Sequence, residues 1–384
     1  MPEIYLDNSA TTKPCPEAAA KALEIATVNY GNPSSAHAPG RAARAALDEA
    51  RALVAGALGA AAPEITFTSG GTEANNLAVF GACSLAVARG RGRKIVTTAV
   101  EHPSVTKAVR FWKRRGWQVA YIPAPGGRLD LAALEEAIDQ RTALVTLMLI
   151  NNEIGSLFPV REARRFIEAV RAPALLHTDA VQAFGRIRFT PAELGVDLAT
   201  VSAHKIHGLK GAGALYMRRG RQMHALHFGG GQENGLRPGT EALPAVAAFG
   251  EAARLASARL ETAAAHMAAL RDHCLRLLTA RLPAAGINSG RTGAPHIVNF
   301  SLPGIPSAET VRYLSEKGIY VSDGAACKSN HPGKGPQVLE SFGLSPEEMY
   351  SAIRVSFCAE NTTGEVEALV GALEEFTMGE RARD

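Results

Sequence analysis

Residues 198–219 read LATVSAHKIHGLKGAGALYMRR, and this stretch governs how the rest of the chain is read. LATVSAH is a short apolar run of strand type, and GAGALYMRR is a second, reached through a glycine-rich turn. Between them stands Lys205, with Ser202, His204 and His207 close by. The chain has only 10 lysines against 31 arginines, so a lysine at this strand end stands out. An apolar approach and a small-residue exit partly desolvate the ammonium. A desolvated lysine gives up its proton more readily and becomes a nucleophile toward an aldehyde.

Four further runs read as buried strands: EITFTS (64–69), KIVTTAV (94–100), ALVTLML (143–149) and ALLHTD (174–179). Helical patterns such as TEANNLAVFGACSLAVAR and LAALEEAID alternate with them. This alternation predicts an α/β fold whose mostly parallel sheet is covered by helices, with ligands beyond the carboxyl ends of the strands. Ser69, His102, Asn152, Asp179 and Lys205 all fall at such ends. Residues 243–282 are alanine-rich with helical spacing and read as one long helix joining two domains. Beyond it, HIVNFSL, GIYVSD and AIRVSFC read as strands of a smaller α/β domain, and a length of 384 residues favours two domains.

Composition narrows the function classes. Charged residues make up 20% and apolar residues 46%, with a formal net charge of +4, as in ordinary globular proteins. The basic run from Arg89 to Lys94 lacks interleaved aromatic residues and reads as a solvated turn, so no nucleic-acid partner is expected. The N-terminus has no basic segment followed by an apolar one, and ALVTLMLI falls well short of the roughly 20 residues a membrane span needs. A cytoplasmic protein without a membrane partner is expected.

The five cysteines are scattered and form no C-x-x-C pair, which argues against a disulfide framework and a structural zinc site, so no metal is expected. Cys83 and Cys274 lie in apolar helical patterns and read as core. Cys15 and Cys358 carry no motif. Cys327 lies in VSDGAACKSNHPGKGP (321–336), a polar, glycine-rich segment and a poor place to pack a thiol.

Two more segments bear on chemistry. In FTSGGTEANN (67–76) a helix starts near Thr72, where hydroxyls and backbone N–H groups either cap the helix or hold a phosphate. In HTDAVQAFG (177–185) Asp179 is either a helix cap or the partner of a protonated ring nitrogen, with Gln182 three residues on. With Lys205, these segments ask for a ligand with a phosphate, a ring nitrogen and an aldehyde. Pyridoxal 5′-phosphate has all three. His102, in TTAVEHPSV, could lie over its ring.

The segments YLDNSATT, GNPSSAH, EITFTSGGTEANNLA, EHPSV, NNEIG, HTDAVQAFG, SAHKIHGLKGAGALY, GGGQENGLRPGTE and DGAAC run in this order along nearly the whole chain. In them the sequence resembles the cysteine desulfurases of the IscS/NifS group, within the class V aminotransferases of fold-type I. The resemblance implies a large cofactor-binding domain, residues 13–250, with a mostly parallel seven-stranded sheet. It implies a small domain from residues 1–12 and 251–384 that carries the cysteine loop at about 321–336. Lys205 would bind the cofactor and move protons at the substrate. Asp179 would pair with the ring nitrogen, Gln182 with the phenolic oxygen, and His102 would stack on the ring and act in acid–base steps. Thr72, Ser202 and His204, with the Gly71 backbone, would hold the phosphate. Thr240 would reach the phosphate of a second subunit, which implies a homodimer. Asn152, also beside the cofactor, and Arg354 would hold the carboxylate of L-cysteine. Cys327 would take the sulfur as a persulfide, leave L-alanine, and pass the sulfur to an acceptor protein or small thiol.

The chain departs from the family pattern in places. SDGAAC stands for the usual SSGSAC, so Asp323 would raise the thiol pKa and Lys328 lower it. His207 and Leu209 replace the tyrosine and proline common in HKIYGPKG. The chain also stops soon after GEVEALVGALEEFTMGE, whereas members serving an iron–sulfur scaffold often carry a longer tail. Selenocysteine lyase, another C–S lyase and an aminotransferase of the same fold are alternative enzyme readings. A non-catalytic partner that binds the cofactor or a sulfur carrier is the alternative of another kind.

Overall fold

The computed structural model describes residues 3–290, 293–323 and 337–381. The runs that read as buried strands assemble into one seven-stranded sheet, in the order Ile65–Thr68, Gly213–Met217, Leu198–Ser202, Leu175–Asp179, Thr142–Thr146, Lys94–Thr98, Gln118–Ile122. Neighbours pair in parallel except around Gly213–Met217, which runs antiparallel to both of its partners. The runs are continuous in apolar residues because both sheet faces are covered. Val96, Val145, Leu176 and Ala199 face one core, which helices Pro16–Thr27, Ala38–Leu58 and Leu243–Ala258 help to close. Ile95, Leu144, Leu175 and Leu198 face another, closed by Gly71–Ala88 and Pro103–Lys113. At Gly250 a β-carbon would lie 2.8 Å from Ala50 Cα, so glycine lets two helices meet backbone to backbone.

A second core gathers Leu6, Met267, Leu270, Cys274, Val298, Phe300, Ile353 and Val355 beneath a four-stranded antiparallel sheet. Cys83 and Cys274 are fully buried, as their patterns predict. Two expectations need correction. Residues 243–282 are two helices, Leu243–Ala258 and Leu260–Arg281, because Arg259 leaves helical geometry at φ −107°, ψ 3°. Alanine-rich composition favours helix on both sides of that break, and only packing reveals it: the first helix lies on the large core and the second on the small one. GIYVSD is not one strand. Ile319–Tyr320 pairs in parallel with Ile4–Tyr5, while Ser322–Asp323 pairs with Ile353 and Arg354 in the four-stranded sheet. Gln118–Ile122, absent from the strand runs read above, is a half-exposed edge strand. Among the described residues no helix is long and apolar enough to cross a membrane.

One buried carboxylate ties the strands that lead to Asp179 and Lys205. Asp197 is fully buried and accepts from Leu176 N at 2.9 Å, Arg164 Nη2 at 2.6 Å and Arg221 Nε at 2.8 Å. Removing it strips Arg164 and Arg221 of their buried carboxylate partner and leaves the Leu176 N–H unsatisfied. Asp197→Ala is expected to lower the unfolding free energy by about 3–5 kcal/mol, read from denaturant titration.

Candidate active site

The crevice is built from strand ends and from one N-terminal segment. Lys205 lies in the turn Ala203–Lys205, directly after the strand Leu198–Ser202. Its Nζ donates to the main-chain carbonyls of Ser9 (2.5 Å) and Ala10 (2.8 Å). Burial, helped by Arg354, lowers its pKa to about 8 against the pull of Asp7 and Asp179. Two carbonyls match the two N–H bonds of a neutral amine and leave its lone pair free. Gln182 Nε2 donates to the same Ser9 carbonyl at 3.0 Å, so Lys205 and Gln182 converge on one atom.

Asp179 ends the strand Leu175–Asp179 and is 5% exposed. Its carboxylate accepts from Val181 N (3.0 Å) and Asn75 Nδ2 (2.6 Å), which meets the cost of burial with hydrogen bonds. Asn75 also donates to Ser104 Oγ at 2.8 Å, and Ser104 Oγ lies 2.7 Å from His102 Nδ1. Because Ser104 Oγ already accepts from Asn75, its own proton points to His102 Nδ1, which also accepts from Ser104 N. In a neutral His102 the ring proton therefore sits on Nε2. Burial, with Lys205 and Lys107 nearby, lowers the His102 pKa although Asp179 raises it.

The helix beginning at Gly71 has Gly70 before it and no side-chain cap, which corrects the capping reading of Ser69 and Thr72. Glu73 takes that task by accepting from Ser69 N at 2.7 Å. Thr72 is exposed. A β-carbon on Gly71 would lie 2.9 Å from Val181 Cγ2, so only glycine fits beside this wall. Ser202 is buried and its Oγ has no hydrogen-bond partner. His204 Nδ1 lies 3.1 Å from Thr11 Oγ1, and burial beside Lys205 lowers its pKa to about 4.

Arg354 is 6% exposed, in the strand Ala352–Ser356. It donates to the Asn152 main-chain carbonyl and to Asp7 Oδ1, both at 3.0 Å, and lies 3.5 Å from Glu153 Oε1. The Asn152 side chain itself turns to Glu153. Thr240 is exposed, on a loop that Arg237 ties to Glu73, and is not drawn in with the others. Cys327 lies outside the described residues. The sequence reading missed Asn75, Ser104, Glu101, His296 and the carbonyl of Ser9. YLDNSATT was the one signal for the N-terminal segment, through its likeness to the family.

Several buried polar atoms without partners surround this crevice: Ser202 Oγ, Ser9 Oγ, Asn75 Oδ1 and His296 Nδ1. Native interiors rarely leave such atoms unpaired, and ligand sites are where they collect.

Residues 4–369 match the family described as aminotransferase class-V. The chain belongs to that family. It is 38% identical over 384 residues to a cysteine desulfurase of Trichormus azollae, covering 100% of this chain and 94% of that protein. Among solved structures, a NifS-like protein superposes with a TM-score of 0.91 at 34% identity, covering 98% of this chain and all of the other. SspA, solved in complex with cysteine, gives 0.79 at 29% identity, covering 94% of this chain and all of the other. The family is one of pyridoxal-phosphate enzymes of fold-type I, which is the fold expected from the sequence.

Glu101, next to His102, is 1% exposed and accepts from Thr98 Oγ1 and Met148 N. Burial, with a smaller push from Asp179, raises its pKa from 4.5 to about 8. Between those values the folded chain holds a proton that the unfolded chain releases, so this group's contribution to stability falls as pH rises. Glu101→Gln keeps both accepted hydrogen bonds at Oε1. The difference in stability between parent and Glu101→Gln should shift against the parent from about pH 4.5 to 8, by denaturant titration across pH. A flat difference would mean that Glu101 is ionised when folded.

Proposed function

We propose that this chain is a pyridoxal-phosphate-dependent cysteine desulfurase, converting L-cysteine to L-alanine and passing the sulfur through Cys327 to an acceptor. The observation that carries the reading is the Lys205 amine, brought down to about 8 in a crevice shared with buried Asp179, in a chain similar over its full length to cysteine desulfurases. The residues present fit the cofactor. Ser202, with its unpaired Oγ, and the side-chain-free Gly71 suit a phosphate, with Thr72 and His204 beside them. Asp179 suits a ring nitrogen, Gln182 a phenolic oxygen and His102 a ring face.

Bound there, pyridoxal phosphate would supply an aldehyde for the substrate amine and an electron sink for bonds broken beside it. Lys205 would take and return the proton at the substrate Cα. Asp179, braced by Asn75, would keep a proton on the ring nitrogen. Arg354, with Asn152, would orient the substrate carboxylate through its planar fork. Cys327, as thiolate, would take the substrate sulfur as a persulfide. Thr240 would serve the phosphate of a second copy in a homodimer, and a cytoplasmic setting with a protein or small-thiol acceptor completes the reading.

Lys205→Ala is expected to lose the cofactor's long-wavelength absorbance and to lower alanine formation by at least about 10²- to 10⁴-fold, the range for a positioned acid–base group. Cys327→Ala should keep the absorbance and lose alanine formation from cysteine. After incubation with cysteine, mass spectrometry should find one added sulfur on Cys327 of the parent. Undiminished turnover in Cys327→Ala would overturn the desulfurase route. Activity retained only toward selenocysteine would point to a selenocysteine lyase, and a keto-acid product to an aminotransferase.

A further inference from the structure

His207 stands where the family commonly has tyrosine, and it meets two residues that no part of the desulfurase reading uses. The ligand atoms of His207, Cys358 and Glu360 lie within 4.8 Å of one another. Zinc bound by sulfur at about 2.3 Å and by nitrogen or oxygen at about 2.0–2.2 Å holds tetrahedral donors roughly 3.5 Å apart, a spacing the His207–Glu360 pair already has at 3.5 Å and into which wider pairs would draw on binding.

The histidine is already set for the task. Its Nδ1 lies 2.9 Å from the Lys13 main-chain carbonyl, so Nδ1 carries the proton and Nε2 keeps its lone pair. Nε2 lies on the Glu360 side, 3.5 Å from Oε2. A ring N–H donated to a backbone carbonyl is the outer support that metal-bound histidines usually have. His207 also occupies the left-handed region at φ 65°, its N–H donating to Thr12 Oγ1 at 2.7 Å and its carbonyl accepting from Cys15 N at 2.9 Å. The main chain at His207 is thus fixed through both its N–H and its carbonyl, and the ring through Nδ1. Cys358 is 6% exposed, and its N–H donates to Asn361 Oδ1 at 2.8 Å. Beside His207 and Glu360 opens a cavity of about 60 Å³, also lined by Cys15, Arg186 and Met267, with room for water. None of the residues assigned to the crevice lines it.

We propose that His207 Nε2, Cys358 Sγ and a Glu360 carboxylate oxygen form a site for one divalent cation of the zinc class, with water as fourth ligand. A mixed set of sulfur, nitrogen and oxygen donors in tetrahedral number selects zinc over magnesium or calcium. On binding, the Cys358 S–H bond breaks, the sulfur keeps the electron pair and bonds to the ion, and the proton leaves to solvent. No electron changes hands. Thiolate and carboxylate together match the ion's charge, and binding works against burial of the Cys358 thiol and against the Arg186 guanidinium that acts on both groups. The ion would join the turn after Lys205 to the segment after the strand Ala352–Ser356.

The test uses full-length, cofactor-loaded protein carrying Cys327→Ala, so that the proposed nucleophile does not compete for metal. Equilibrium dialysis against Zn²⁺ should give one ion per chain. Co²⁺ should give visible bands of tetrahedral intensity with a thiolate charge-transfer band. His207→Tyr, which restores the residue common in the family, should weaken binding by at least about 100-fold, more than loss of an outer-shell partner does. Cys358→Ala should abolish the charge-transfer band. Zn²⁺ should raise the melting temperature of the parent and leave that of His207→Tyr unchanged. No stoichiometric uptake by the parent, or undiminished uptake by a folded His207→Tyr, would overturn the site. Because the readouts are binding and melting, failure here leaves the desulfurase reading untouched.

Discussion

The main-chain carbonyl of Ser9 is the atom on which the crevice turns. It accepts from Lys205 Nζ and Gln182 Nε2, while Ser9 N donates to Ser356 Oγ at 2.8 Å in the other sheet. A backbone carbonyl cannot titrate and cannot rotate away on its own. The lysine is therefore located by a group fixed between two strands rather than by a mobile carboxylate. Asn8 extends the stitch by donating to the Ser356 carbonyl, and Asp7 pairs with Arg354. The four residues Asp7 to Ala10 thus carry the geometry of the large sheet's strand ends over to the small sheet.

Burial around this point favours neutral forms. His177, fully buried between Thr146 and Thr200, has its pKa lowered to about 4, and His296, beside Gln182, is driven well below the usual range. Glu101 is pushed toward its protonated form. A surround of uncharged histidines and acids leaves the field at Lys205 to Asp7, Asp179, Arg354 and Arg186. In a poorly solvated crevice those few charges are screened less than they would be in water. That is the environment an amine needs if it is to lose its proton near neutral pH without a dedicated base.

What the sequence could announce, and what it could not, follows from how far each signal reaches. Asp179 and Lys205 were legible because each closes or follows a strand-like run that leads into a turn, with Gln182 three residues on, and a polar residue there faces the open end of a sheet. Asn75 was not legible, since inside TEANN it looks like any residue of a helix's first turns and only its contacts with Asp179 and Ser104 set it apart. The break at Arg259 was hidden because alanine and leucine favour helix on both sides. The division of GIYVSD was hidden because alternation reports which face a residue occupies and not which sheet it joins. His207, Cys358 and Glu360 lie in two distant segments, so spacing rules for metal ligands could not bring them together.

The most consequential pairing is that of Arg354 with Asp7 and Glu153. Burial pushes both carboxyl groups up in pKa while the guanidinium pulls them down, so neither is a strong anion by its surroundings alone. The substrate carboxylate proposed for Arg354 would compete with Asp7, which would take up a proton more readily once parted from the guanidinium. Asp7 is also among the charges that raise the Lys205 pKa. Neutralising or moving Asp7 would therefore remove one reason for Lys205 to stay protonated, and a substrate anion on Arg354 would partly restore that charge. The net effect on Lys205 is set by distance. Asp7 lies in the segment that holds Nζ, whereas the fork of Arg354 reaches out toward Asn152. In the proposed pose, binding at Arg354 would thereby bear on the basicity of Lys205 through the short segment that carries Asp7, Ser9 and Ala10.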